Sequence, residues 1–367
     1  MYSWVDQSTA LALDRLTSRH GFRGGSDPEL RQLARLFSPA YVRSLHRLLS
    51  HASRSSRGRR VLDVKLGWID KSPYAEINGR PRTELGDAAI FAIESYMRPD
   101  GSTIGSTRAR CVIVQAKVTS DATQLTAPTV PTVHLTASEL SNPKSSTARE
   151  LRLLRDWPTF DLYDASRSLT PNLTGVDIRN GAVGTLPMGW FIAAPRLVGR
   201  TARPKGAIWP SWWMCAQPVN TQPFDVSFGS FFRALLTGGK TASVSGHAHV
   251  GADFLLNRHP AQSAGPAHWD ALCHEMLRLS ASSKAPQHIF TTSVAKLASV
   301  PPIYSSYLTG SAPTLLNAHG RCWFGSPKEN VPAIRRWDPS WYAPPYELGS
   351  RDDAMRVLII RSTEVER

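Results

Sequence analysis

Cysteine is scarce in this chain: Cys111, Cys215, Cys273 and Cys322 are the only four among 367 residues. They are widely separated and form no CxxC pair, which excludes a disulfide framework and a four-thiolate zinc site. All four are expected to be free thiols packed as small apolar side chains. Long apolar runs are also missing, so no segment reads as a membrane span. The opening Met1-Tyr2-Ser3-Trp4-Val5-Asp6 lacks the basic-then-apolar order of a secretory signal. A cytoplasmic location is therefore expected. No Gly-x-Ser-x-Gly elbow is present, which argues against serine-hydrolase chemistry. Gly239-Lys240-Thr241 has the ending of a phosphate-binding loop, but Ala234 stands where its first glycine is required and the preceding pattern is helical.

Acidic residues are the other shortage. There are 29 Asp and Glu against 43 Lys and Arg, for a net charge of +14. A surface of that sign favours phosphate backbones or other anionic partners, because each neutralised phosphate releases counterions. The densest positive stretch is His51 to Arg60, which reads as a basic linker whose Arg54, Arg57, Arg59 and Arg60 are candidate nucleic-acid contacts.

Two apolar runs dominate the pattern. Glu84 to Phe91 and Ala109 to Val118 are rich in strand formers and end in polar residues that an ordinary core strand would not need. Arg98-Pro99-Asp100-Gly101-Ser102 between them is a turn signal, with proline presetting one dihedral and glycine accepting a positive one. Folding the hairpin at Gly101 brings Asp87 roughly opposite Gln115, where cross-strand side chains are about 5 Å apart. Gln115 and Lys117 share one strand face. An acid, an amide oxygen and a lysine therefore converge. A carboxylate and a neutral oxygen suit Mg²⁺, and a neighbouring ammonium can orient or help deprotonate an attacking water.

The pattern Asp87…Gln115-Ala116-Lys117 resembles the metal site of the PD-(D/E)XK nuclease superfamily, in the Gln-x-Lys form found in Mrr-like restriction endonucleases. The resemblance spans about residues 60–195. It implies an α/β, restriction-endonuclease-like mixed sheet flanked by helices, and a Mg²⁺-dependent endonuclease acting on nucleic acid, with DNA favoured and Mn²⁺ a possible substitute. Asp87, Gln115 and the Ala116 carbonyl would hold the metal, and Lys117 would act on the water. Members often add an acid upstream of the Asp. Glu84, Glu76 and Glu29 are candidates here, and Glu84 is favoured because the chain keeps it beside Asp87. The superfamily is common in restriction, phage defence and DNA repair, settings that admit a partner protein or a homo-oligomer. Two other readings stay open: a non-catalytic nucleic-acid-binding protein on the same scaffold, and a basic assembly or toxin-like subunit binding an acidic partner protein.

The rest of the chain supplies the frame. Ser26-Asp27-Pro28-Glu29 and Ser38-Pro39 read as helix starts, the second feeding Tyr41, Val42, Leu45 and Leu49, with Arg43, His46 and Arg47 on the other face. A strand is expected over Val61 to Trp68, and an irregular Thr/Ser/Pro-rich connection over residues 119–146. A helix is expected over Thr147 to Asp156, with strands at Phe160 to Asp164 and Gly189 to Ala194. The division is thus 1–58 as an N-terminal helical region, 59–200 as the nuclease-like core and 201–367 as a mixed accessory region. In the last, Arg200 to Lys205 beside Trp209, Trp212 and Trp213 offers cations next to aromatic faces. Phe224, Phe228, Phe231, Phe232, Leu235 and Leu236 read as one apolar helical face that stops at Gly238-Gly239, and Trp269, Leu272, Cys273, Met276 and Leu277 as another. Met355 to Arg361 ends the pattern as a strand. His247 and His249 lie on one side of an extended segment, but their spacing matches no zinc module, so exposed histidines are expected there.

Overall fold

The computed structural model describes residues 2, 4–21, 33, 36, 39–54, 59–69, 73–97, 108–119, 134–195, 211, 213–243, 246–256, 267–282, 315–316, 322–323 and 355–365. The helices are α1 (Gln7–Gly21), α2 (Pro39–Arg54), α3 (Ala137–Ser141), α4 (Ser146–Asp156), α5 (Phe228–Thr237) and α6 (Ala267–Ser282). Strands β1 (Arg59–Ile69), β2 (Tyr74–Glu76), β3 (Thr83–Glu84), β4 (Ala88–Met97) and β5 (Arg108–Thr119) precede α3. After α4 come β6 (Phe160–Tyr163), β7 (Leu173–Val176), β8 (Gly189–Pro195), β9 (Met214–Ala216) and β10 (Val226–Ser227). The chain continues through β11 (Lys240–Ser243), β12 (Gly246–His249), β13 (Ala252–Leu255), β14 (Leu315–Leu316), β15 (Cys322–Trp323) and β16 (Met355–Val365).

The protein is α/β, built on an eight-stranded mixed sheet in the order β1-β16-β4-β5-β8-β9-β10, with β13 added against β5. Strands β4 and β5 form the expected antiparallel hairpin, and β8 runs parallel to β5. The expected Val61–Trp68 strand is present as β1, but its neighbour is β16, antiparallel to it and parallel to β4. A smaller sheet, β3-β2-β6-β7, is hydrogen-bonded separately, and its Ala75, Phe160, Leu162 and Val176 pack into the same core as Ala89 and Phe91 of β4.

Side-chain alternation explains the layering, since successive strand residues point to opposite faces. Ala88, Ile90 and Ala92 of β4, Val112 and Val114 of β5, and Leu358 and Ile360 of β16 share a core with the apolar stripes of α1, α2 and α5. Ala89, Phe91, Ile93, Cys111, Ile113, Val357 and Ile359 pack instead with Trp157 of the α4 end and with Trp269, Leu272 and Met276 of α6. The central strands are therefore apolar on both faces, as burial under helices on both sides requires.

Two helices carry clear local signals. In α5, Ser227 caps the start by accepting the Ser230 N–H, and Gly238 closes the end at φ +73. Its fully buried phenylalanines each contribute roughly 2 to 3 kcal/mol of transfer free energy. In α4, Ser145 accepts the Ala148 N–H, and Trp157 stops the helix in the left-handed region while donating its N–H to Leu153. Leu154 of α4 lies against Gly189 of β8, where an added Cβ would stand 3.0 Å from the Leu154 Cβ and 3.1 Å from its carbonyl oxygen. That close approach clamps α4 to the sheet beside β5.

Three expectations need correction. The division at residues 58 and 200 does not follow the sheet: β9, β10, β13 and β16, all beyond residue 200, pair into the same sheet as β4 and β5. Strand pairing over long sequence separation leaves no trace in local composition. The stretch 51–60 is not simply a linker, because α2 runs through Arg54 and β1 begins at Arg59. Residues 119–146 also hold regular structure in the short helix α3, fixed by a reciprocal capping box between Thr136 and Glu139. The turn at 98–102, the helix start at 26–29 and the basic run 200–205 lie outside the described residues.

Candidate functional site

The end of the β4–β5 hairpin is where polar residues enter the sheet. Strand β4 starts at Ala88, paired with Val114, so β5 runs on beyond it. One step further, Asp87 faces Gln115: its N–H donates to the Val114 carbonyl at 3.0 Å. The Ala116 N–H, left without a β4 partner, donates to Asp87 Oδ2 at 2.7 Å. Gln115 Nε2 donates to the same oxygen at 2.5 Å. A strand residue directs its N–H and C=O to the same edge, so the Ala116 carbonyl also leaves β5 on the Asp87 side. Gly86 makes this approach possible, since a Cβ there would sit 2.6 Å from Ile113 Cγ2 and 3.1 Å from the Val114 oxygen.

Gln115 and Lys117 lie on the face of β5 that carries Cys111 and Ile113, the side covered by α4. From α4, Glu150 reaches Lys117, with Oε2 2.8 Å from Nζ. Asp87, Gln115 and Glu150 are buried, and Lys117 is partly exposed. Burial pushes the Asp87 carboxyl up to about 6 despite the opposing pull of the Lys117 charge and the Ala116 N–H. The Glu150 charge raises it further and the Arg356 charge lowers it. Gln115 Oε1 is buried with no hydrogen-bond partner among the described residues. With Nε2 turned to Asp87, the amide leaves its oxygen as the buried, unmatched atom.

The structure thus brings together Asp87, Gln115, Ala116 and Lys117. Glu84 lies on β3 in the smaller sheet and accepts a hydrogen bond from the Tyr74 hydroxyl at 3.3 Å. Glu150, an acid that sequence reasoning missed, meets Lys117. Its only sequence signal was its place on an amphipathic helix among Ala148, Leu151 and Leu154, where a charge on the buried side requires a partner. Arg356 was also missed. It is buried on β16, and its N–H donates to the Asp87 carbonyl oxygen at 3.1 Å.

Arg54 is exposed at the end of α2, and Arg59 and Arg60 open β1, which β16 separates from β4. Arg57 lies outside the described residues. On α2, His46 Nε2 lies 3.0 Å from the Leu62 carbonyl oxygen, tying the helix to β1. Trp213 is fully buried, so it packs rather than stacks on bases, while Trp209 and Trp212 lie outside the described residues. His247 and His249 are exposed on β12. Among the described residues no group of three or more His, Cys, Asp or Glu side chains is placed to hold a metal, and no helix is long and apolar enough to cross a membrane. No family model, curated protein or solved structure matches the chain.

Proposed function

We propose that the chain is a metal-dependent nuclease of restriction-endonuclease-like architecture, hydrolysing phosphodiester bonds of nucleic acid, with DNA the favoured substrate. The observation that carries the reading is the convergence of Asp87, Gln115 and Lys117 at one strand end, with Gln115 Oε1 buried and unmatched. An oxygen-only donor set of Asp87, Gln115 Oε1 and the Ala116 carbonyl suits Mg²⁺ or Mn²⁺, which take oxygen ligands and keep several waters. When bound, such an ion supplies Lewis-acid stabilisation of the phosphate oxygens and lowers the pKa of water.

The chain's own residues do the rest. Asp87 is held by two donors and fixed against the strand edge, so it needs no reorganisation to receive a cation. The Lys117 ammonium offsets negative charge on the phosphate and orients the attacking water. Water adds to phosphorus, one P–O ester bond breaks, and the departing oxygen takes up a proton. Strands β4, β5 and β8 with α4 supply the part of the sheet that supports this architecture. The insertion of β16 between β1 and β4 departs from a simple three-strand meander.

The test is incubation of purified protein with Mg²⁺ or Mn²⁺ and labelled duplex DNA, single-stranded DNA and RNA. Cleavage by the wild type that is lost in folded Asp87→Ala and Lys117→Ala variants is expected, with nucleic-acid binding retained. Cleavage surviving both substitutions overturns the assignment of the site, and no cleavage of any substrate overturns the nuclease reading.

A further inference from the structure

We infer that Glu150 is a positioning residue, holding the Lys117 ammonium at the end of β5 so that it meets the scissile phosphate and its attacking water already oriented; this rests on the nuclease reading above. A lysine side chain has four rotatable bonds, and ordering it costs side-chain entropy. Left to itself at a partly exposed strand end, Lys117 would sample many directions. Glu150 removes that freedom, with Oε2 2.8 Å from Nζ and 10% of its side chain exposed.

The geometry behind Glu150 is rigid. It sits between buried Ala148 and Leu151 on α4, whose start is capped by Ser145 and whose Leu154 rests directly on Gly189 of β8. Strand β8 pairs with β5 through Gln115↔Phe191 and Lys117↔Ala193. Helix, strand and lysine are therefore registered to one another through one short packed path. Misplacement of a reacting group by about 1 Å can cost about a hundredfold in rate. Glu150 touches neither the phosphate nor the water in this reading, which separates it from Asp87 and Gln115.

Two measurements test the inference. The first is a double-mutant cycle on unfolding with Glu150→Gln and Lys117→Met, singly and together, without metal. A coupling on the order of tenfold in the unfolding equilibrium is expected for a buried pair in contact. Additive effects would overturn the pairing itself. The second is steady-state cleavage by the same variants with Mg²⁺. Glu150→Gln keeps the volume and a hydrogen-bond acceptor but removes the charge, so kcat should fall by about tenfold or more, with KM for DNA and the Mg²⁺ concentration for half-maximal rate within about twofold of wild type. An unchanged kcat, or a raised Mg²⁺ requirement, sinks the positioning role, the latter by making Glu150 a ligand. Wild type that cleaves nothing takes the nuclease reading down, and this inference with it. Wild type that cleaves while Glu150→Gln cleaves equally well removes this inference alone.

Discussion

Asp87→Asn should make the metal-free protein more stable while ending its proposed chemistry. Burial raises the Asp87 carboxyl from its ordinary 3.8 to about 6. The folded state therefore binds this proton more tightly than the unfolded chain, and stability falls as pH rises through that interval and levels off above it. At about 1.4 kcal/mol per tenfold change in the ionisation equilibrium, the cost of keeping the carboxylate charged above the interval reaches about 3 kcal/mol. Asparagine is neutral throughout. Its Oδ1 still accepts from the Ala116 N–H and from Gln115, so the strand end keeps its hydrogen bonds. The assay is urea unfolding of both proteins in chelator at about pH 4 and about pH 8. Near-equal stability is expected at the lower pH, and an advantage of about 1 to 3 kcal/mol for the variant at the higher one. Every other titrating group is common to both proteins, so the difference isolates position 87. Added Mg²⁺ should reverse the order by stabilising only the wild type. A variant less stable than wild type at the higher pH, or parallel pH profiles, would refute the reasoning.

Gly86→Ala should destabilise the protein by about 1 to 3 kcal/mol and weaken cleavage, because a Cβ cannot enter between Ile113 and the Val114 oxygen without displacing Asp87; thermal melting beside cleavage rates checks both. Asp14→Ala should cost about 1 to 3 kcal/mol and leave cleavage intact, because its carboxylate accepts the Gly229 N–H at 2.7 Å and the Ser227 hydroxyl at 2.8 Å, joining α1 to the start of α5. Cys111, Cys215 and Cys273 are buried and free, and burial raises the Cys215 and Cys273 thiols well above the ordinary range. A thiol reagent should therefore label none of these three in the native protein and all of them in denaturant, as peptide mass spectrometry would show. Replacing Arg54, Arg57, Arg59 and Arg60 with Ser should flatten the salt dependence of DNA binding by about 0.9 log unit per lost phosphate contact; an unchanged slope removes them from the binding surface.

Local signals were legible where a short segment decides its own structure. The stop of α4 at Trp157 and the end of α5 at Gly238 follow from periodicity and turn residues close by in the chain, whereas α5 begins at Phe228, after Phe224, because Ser227 caps it. The place of β16 did not follow from such rules. Met355 to Arg361 reads as a strand from its run of branched aliphatics, but nothing local says that it enters between β1 and β4 or runs parallel to β4. Both its neighbours lie more than 250 residues earlier, and both its faces are buried, so its pattern fits any interior slot equally well.

The candidate site divides along the same line. Asp87 against Gln115 is a register within one hairpin, and a period of two then puts Lys117 on the Gln115 face without further information. Glu150 belongs to a different kind of contact, between a helix and a strand brought together by packing of Leu151 and Leu154 against β8 and its neighbours. Sequence proximity pointed instead to Glu84, three residues from Asp87, yet chain continuity fixes only a backbone distance. Once β3 pairs with β2, Glu84 becomes part of the smaller sheet and is bonded by Tyr74. A buried charge is the better guide. Glu150 lies on the buried side of α4 with Ala148, Leu151, Leu153 and Leu154, and an ion placed there is tolerated only opposite a cation. The nearby strand offers one in Lys117. The demand of a buried carboxylate for its counter-charge brings Glu150 to Lys117.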